Sequence, residues 1–408
     1  MAVRHRTLIV IAGMVLLLTG ASARHAVPRA PVRPGIDVLL SDSLSLVRGK
    51  RVGLVTNIAA VDANGIGDIA RLRGAGVNLV ALFAPEHGLA VTAAPGERVA
   101  NGVDSAATPI YSLYGATTAP TDSMLRGLDV ILVDLPDVGA RYFTYISTTI
   151  DVMKAAGAHH IPVVVLDRPD PIGGAIEGNV RDSAHVSPVA RLAVPMRHGL
   201  TLGEEARLAR ADLSIAVDLS VVPVAGWQRD MLFPATGLVF RAPSPNLQDF
   251  ESLLDYPGFC VFEGTALSVG RGTDLPFHQI GAPWLDTTRL LAHLESLHLP
   301  GVAFRAVTFT PHAAGDKKFN DTLVVGIRLI VTDPVRYRST RVALELLTTL
   351  QAMYPDRLHI GAAFDRLAGG PVLREAIVRG DSPDMIEQSW QAPIARYRER
   401  IAPFLLYR

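Results

Sequence analysis

Cysteine occurs once in the 408 residues, at Cys260, inside an apolar stretch. An exported chain with one thiol has no internal disulfide, and Cys260 reads as a buried structural residue rather than a nucleophile. Lysine is also scarce, found only at 50, 154, 317 and 318. None lies three residues after a serine, which excludes the Ser-x-x-Lys arrangement of penicillin-binding enzymes. Neither sign of charge is in excess, with 39 basic and 39 acidic residues. No polyanion or anionic surface is called for, so no nucleic-acid partner is expected. The chain also lacks a Walker loop, a Gly-x-Ser-x-Gly elbow and a His-Glu-x-x-His zinc helix. The scattered histidines suggest no metal site, and His159-His160 reads as a helix end.

Long apolar runs are confined to the start of the chain. Arg4 and Arg6 precede the apolar stretch Thr7 to Gly20, and Ala21-Ser22-Ala23 is a small-residue cleavage site. Residues 1–23 therefore read as a secretory signal, too short in its apolar part to span a membrane comfortably. A retained, uncleaved anchor is the alternative. The expectation is a periplasmic or secreted protein with no stable membrane insertion after cleavage. No cysteine ends the signal region, so lipid attachment there is not supported. Without Arg4 and Arg6 the chain holds 37 basic and 39 acidic residues. The Pro- and Arg-rich residues 24–34 read as a mobile leader.

From there the pattern alternates. Apolar runs at 51–56, 78–83, 129–134 and 161–166 are predicted strands, separated by helical stretches at 67–76, 122–127 and 144–157. Near-continuous apolar strands alternating with helices predict an α/β fold, a Rossmann-like doubly wound and mainly parallel sheet. A helix at 203–211 and a strand at 219–224 follow, then a loop-rich segment from Pro234 to Pro257. The domain boundary is placed near Asp249 to Pro257, giving a Rossmann-like domain at 35–252 and a smaller α+β domain at 253–408. In the second domain, helices are predicted at 288–297, 339–353, 371–380 and 382–399, with a strand at 323–331.

The most chemically suggestive stretch is Phe83-Ala84-Pro85-Glu86-His87-Gly88, just past the second strand. In open α/β sheets ligands bind at the carboxyl edge of the strands. Asn57, Asp137 with Arg141, Tyr142 and Tyr145, and Asp167 to Gly174 fall at the ends of neighbouring strands. These loops can converge on one cleft. Carboxylates and tyrosines with few cations suit a sugar, whose ring face packs on an aromatic and whose hydroxyls need acceptors. A rival is Gly65-Ile66-Gly67-Asp68-Ile69-Ala70, which matches a loose dinucleotide fingerprint. That fingerprint needs its first glycine at the strand's end, whereas Asn57 to Asn64 intervene here. No cofactor is expected.

At these loops the sequence resembles a known family, the exo-β-N-acetylmuramidases called NamZ, glycoside hydrolase family 171. The similarity runs through Val55-Thr56-Asn57, Phe83 to Gly88, Ser112 to Gly115, Asp137 to Tyr145, Asp167 to Gly178, Arg197-His198-Gly199 and Ser244-Pro245-Asn246. It continues through Tyr256-Pro257-Gly258, Phe262 to Thr265, Gly270 to Thr273 and Gly281 to Trp284. The resemblance implies a Rossmann-like domain, a smaller C-terminal domain and a site in the cleft between them. It implies release of N-acetylmuramic acid from the non-reducing end of peptidoglycan fragments, with muramic saccharides as partners and Glu86 as catalytic acid/base. His87, Asn57, Asp137, Arg141, Tyr142 and Tyr145 would line the sugar pocket, and Glu263 and Arg271 would reach in from the second domain.

Such cleavage needs a protonated carboxyl and usually a second carboxylate across the sugar. Asp137, Glu263 and the substrate's acetamido group all remain open for the second role. Arg141 or Arg271 would suit the lactyl carboxylate. The chain departs from the family pattern at Leu89-Ala90, at Ala266 and over Pro311 to Thr322, which puts subsite contacts in doubt. A non-catalytic muropeptide-binding protein and a related exo-hexosaminidase are the alternatives.

Overall fold

A computed structural model describes residues 30–408. The signal call at 1–23 and most of the leader lie outside the described residues. The part of the leader within them is pinned: Val32 is buried and Arg33 exchanges two 2.9 Å backbone hydrogen bonds with Ala225. A mobile leader is therefore corrected for these residues. Paired backbone and a buried valine hold them against the domain.

Seven strands form the larger sheet: β1 (Arg51–Thr56), β2 (Asn78–Ala84), β3 (Gly102–Val103), β4 (Pro109–Ser112), β5 (Val130–Asp134), β6 (Val163–Leu166) and β7 (Leu219–Val222). Their order is β3-β4-β2-β1-β5-β6-β7, and only the β3–β4 pair is antiparallel. The sheet is doubly covered because its side chains alternate between two apolar layers. Leu54, Leu82 and Leu132 pack with Ile36, Leu39 and Leu72 from helices Gly35–Asp42 and Asp68–Gly74. Val55, Phe83 and Val133 join the opposite layer, with Ile150 of helix Tyr145–Ala158 and Ala206 of helix Leu202–Asp212.

That opposite layer continues into the C-terminal region without a break. There β8 (Gln279–Ala282), β9 (Val302–Phe309) and β10 (Val324–Val331) form an antiparallel sheet in the order β8-β10-β9. Ile280 and Ile327 belong to the same cluster as Phe83. The segment expected to be loop up to Pro257 contains a helix, Phe250–Phe259. It starts because Asp249 accepts from the Ser252 amide at 2.7 Å in a capping box, which outweighs Pro257 near its far end. Gly258 allows this helix to lie on helix Ser339–Met353, since a β-carbon there would meet Ser339 O at 2.1 Å.

The register aligns the carboxyl ends of the parallel strands. Val55 pairs with Phe83, and Thr56 with Asp134. The loops carrying Asn57, Glu86, Asp137 and Asp167 therefore leave one edge, and the strand order reverses direction around β1, where such sheets open a crevice.

Candidate active site

Glu86 follows β2 on a turn whose next two residues both adopt left-handed backbone, His87 at φ 70° and Gly88 at φ 75°. Glycine takes this conformation freely, whereas in histidine it costs about 1–2 kcal/mol. The turn is held by Gly88 N–H donating to Pro85 O at 3.0 Å and by the Thr92 and Ala93 amides donating to His87 O, each at 3.2 Å. Strain held in place this way is typical of functional loops.

Both oxygens of Glu86 accept hydrogen bonds. Gly96 N–H donates to Oε1 at 3.0 Å and the Thr144 hydroxyl to Oε2 at 2.6 Å. Tyr114 is a third partner: burial, then the charge of Glu86 and a hydrogen bond to it, push the phenol up to about 12, so it keeps its proton. His87 Nδ1 lies 2.8 Å from Ala93 O. A carbonyl only accepts, so Nδ1 carries the hydrogen and Nε2 is left as an acceptor. Burial lowers the pKa of His87 and outweighs the attraction of Glu86, so the ring is neutral.

These groups border a cavity of about 140 Å³ that also includes Tyr142, Thr144, Tyr256, Cys260, Glu263 and Arg271. Glu263 and Arg271 are ion-paired, with Arg271 Nε donating to Glu263 Oε1, and Arg271 Nη1 is buried without a protein partner. Burial alone would lower the pKa of Arg271; the charge and hydrogen bond of Glu263 outweigh it, so the guanidinium stays charged. Cys260 is buried in the wall, its thiol 3.9 Å from Glu263 Oε2, and burial pushes the thiol well up and keeps it protonated. The Ser244 side of the cavity adjoins a wider groove of about 1040 Å³ along Leu89 to Thr92 and Arg241 to Gln248.

Of the nine residues singled out in the sequence, the cavity thus brings together Glu86, His87, Tyr142, Glu263 and Arg271. The other four are placed elsewhere. Asn57 lines the wider groove; its Nδ2 donates to Tyr145 Oη at 2.7 Å and its Oδ1 accepts from Ala59 N–H at 3.0 Å. Tyr145 is fully buried and donates to Pro243 O at 2.8 Å. Arg141 is 3% exposed and spends its guanidinium on the carbonyls of Asn179, Val194 and Leu367 at 2.7, 3.0 and 3.0 Å, which leaves it no fork for a substrate carboxylate. Asp137 accepts from Gly139 N–H at 2.8 Å and borders a separate cavity with Arg168 and Pro171, so it is not among the residues around the cavity of Glu86.

Thr144, Tyr114 and the Gly96 amide contact Glu86 without standing out in the sequence. Tyr114 and Thr144 did lie inside the quoted motifs. Gly96 carried no side-chain signal at all.

Asp137 belongs to a buried cluster with His198 and Glu205 that could in principle hold a metal. His198 Nε2 lies 3.5 Å from Asp137 Oδ2 and 3.8 Å from Glu205 Oε1. However, His198 Nδ1 accepts from Leu200 N–H at 3.1 Å, so the hydrogen sits on Nε2 and faces the carboxylates. A ligating histidine has the reverse arrangement, with its second nitrogen donating outward. The cluster relieves its charge by holding protons instead: burial raises Glu205 well above the carboxylate range and Asp170 to about 7.

A doubly covered, mainly parallel sheet with two carboxylates, an arginine and tyrosines around a partly open pocket at its carboxyl edge defines a Rossmann-like protein equipped to bind and cleave a small polar substrate. The description "Exo-beta-N-acetylmuramidase NamZ, N-terminal" matches residues 52–251, and its C-terminal counterpart matches residues 254–407. The chain belongs to the NamZ exo-β-N-acetylmuramidase family. It is 39% identical over 400 residues to the peptidoglycan beta-N-acetylmuramidase NamZ of Bacillus subtilis (strain 168), covering 96% of each chain. Two DUF1343 family proteins of Bacteroides fragilis NCTC 9343, known from crystal structures, share the fold. One has a TM-score of 0.84 at 34% identity, with 93% of this chain and 100% of that chain covered. The other has a TM-score of 0.72 at 26% identity, with 93% and 99% covered.

Proposed function

We propose that this chain is an exported glycoside hydrolase that removes N-acetylmuramic acid from the non-reducing end of peptidoglycan fragments. The observation that carries the reading is the meeting of Glu86 with the Glu263–Arg271 ion pair around one cavity. Glu86 serves the glycosidic oxygen as acid/base. Arg271 receives the lactyl carboxylate, the group that distinguishes muramic acid from glucosamine. Glu263, in the same cavity and fixed by Arg271, is the second carboxylate. Neutral His87 offers Nε2 as an acceptor for a sugar hydroxyl. The cavity suits a terminal sugar, and the groove beyond Ser244 suits the rest of the fragment.

The test is release of N-acetylmuramic acid from a MurNAc-GlcNAc disaccharide or a chromogenic β-muramide. Glu86→Gln should lose a factor on the order of 10²–10⁴ in rate. Full turnover by that variant would refute the assignment. The exported location rests on the Arg4 to Ala23 segment, and fractionation of cells expressing the full chain checks it.

A further inference from the structure

We infer that Thr144 is the residue that positions the Glu86 carboxyl, an inference that rests on the role of Glu86 proposed above. Thr144 occupies the N-cap of helix Tyr145–Ala158. A threonine there ordinarily accepts a hydrogen bond from an amide of the first turn, which stabilises the helix by ~1 kcal/mol. Thr201 does this for helix Leu202–Asp212, accepting from the Glu204 amide. Thr144 makes no such bond. Its backbone is already helical, at φ −84° and ψ −5°, where Thr201 is extended, at φ −77° and ψ 162°. The hydroxyl is directed instead to Glu86 Oε2 at 2.6 Å.

The chemistry of a hydroxyl suits this place. A backbone N–H, such as the Gly96 amide on Oε1, can only donate and so fits only an unprotonated oxygen. The Thr144 hydroxyl donates to Oε2 when Glu86 is ionised and can rotate to accept when that oxygen carries a proton. The contact therefore survives the gain and loss of a proton that an acid/base must undergo, and the carboxyl keeps its direction throughout. Thr144 itself borders the cavity, so the geometry it enforces is the geometry met by the substrate.

The experiment measures steady-state kinetics on a chromogenic β-muramide for the wild type, Thr144→Val, Thr144→Ser and Glu86→Gln, with thermal unfolding of each. A misdirected catalytic group can cost about 10²-fold in rate. Thr144→Val should therefore lose about that factor in kcat with KM within about threefold, and Thr144→Ser should recover most of it. The midpoint of unfolding should fall by only a few degrees in Thr144→Val, through the lost bond to Glu86, and leave the variant fully folded at the assay temperature. If Thr144→Val keeps wild-type kcat while Glu86→Gln is inactive, the inference fails and the role of Glu86 stands. A loss of stability that accounts for the loss of rate, or equal loss in the serine and valine variants, also overturns it. Full activity in Glu86→Gln would instead overturn the role of Glu86.

Discussion

Arg271→Gln should collapse the preference for muramic over glucosamine substrates, and the size of the effect can be worked from its contacts. Arg271 borders the cavity with Nε committed to Glu263, so the lactyl carboxylate gains a single charge-assisted bond from the rest of the guanidinium rather than a full bidentate grip. Hydrogen bonds to charged groups contribute about 1.5–3 kcal/mol, which is roughly 10–150-fold in kcat/KM. The substitution also leaves Glu263 without its cation, which lowers activity on every substrate. That second loss cancels in a ratio. The assay is kcat/KM on chromogenic β-MurNAc and β-GlcNAc, in wild type and variant, and the MurNAc/GlcNAc ratio should fall by that factor. If both values fall together and the ratio is unchanged, Arg271 serves Glu263 alone and the lactyl group is bound elsewhere.

Tyr145→Phe should lower stability by about 2–4 kcal/mol in urea unfolding, because it strands the Asn57 amide and the Pro243 carbonyl in a buried place. Its kcat/KM should stay within about threefold of wild type; a large kinetic loss in a stable variant would return Tyr145 to the sugar pocket. Asp170→Asn should change the pH dependence of stability. Burial raises Asp170 from 3.8 to about 7 in the folded chain, so the stability it contributes is present below pH 4 and lost as pH rises through 7. The variant cannot ionise, and its advantage should grow over that window to the order of a few kcal/mol. A difference independent of pH would show that Asp170 is ionised throughout.

The parallel sheet was legible because its strands are short unbroken apolar runs. The first runs over Arg51–Thr56, as the sequence reading places it, and Leu202–Asp212 and Ser339–Met353 appear as their helical patterns predict. Elements that draw their stability from neighbours were not legible. Gly102–Val103 and Pro109–Ser112 are too short to show a period and exist as strands because β2 offers an edge to the second, which in turn pairs with the first. Val302–Phe309 keeps only one fully buried residue, with Val302 and Phe304 packed partly against the core, and pairing with β10 orders it. Phe250–Phe259 contains the Pro-Gly pair that usually breaks a helix. Its capping box and its contact with Ser339–Met353 lie outside the reach of a pattern that counts breakers.

The candidate site divides along a similar line. Arg141 and Arg271 are the same residue type in similar motifs, and only the folded chain shows that backbone carbonyls take up both terminal nitrogens of the first while the second borders the cavity beside Glu86. For the polar residues at strand ends there was a local rule to apply. Asn57, Asp137 and Asp170 each accept from the amide two residues on, those of Ala59, Gly139 and Ile172, at 3.0, 2.8 and 3.0 Å. These are Asx turns, which short Asn and Asp side chains close readily. Each uses one acceptor within its own loop and stiffens that loop. Glutamate is one methylene longer and does not favour that ring. Glu86 therefore leaves its own turn and takes donors from Gly96, ten residues on in the same connection between β2 and β3, and from Thr144 on the loop after β5. Of the two strand-edge carboxylates, Glu86 is the one that closes no ring with its own turn and borders the cavity with Glu263 and Arg271, and that distinction from Asp137 was already written in the length of their side chains.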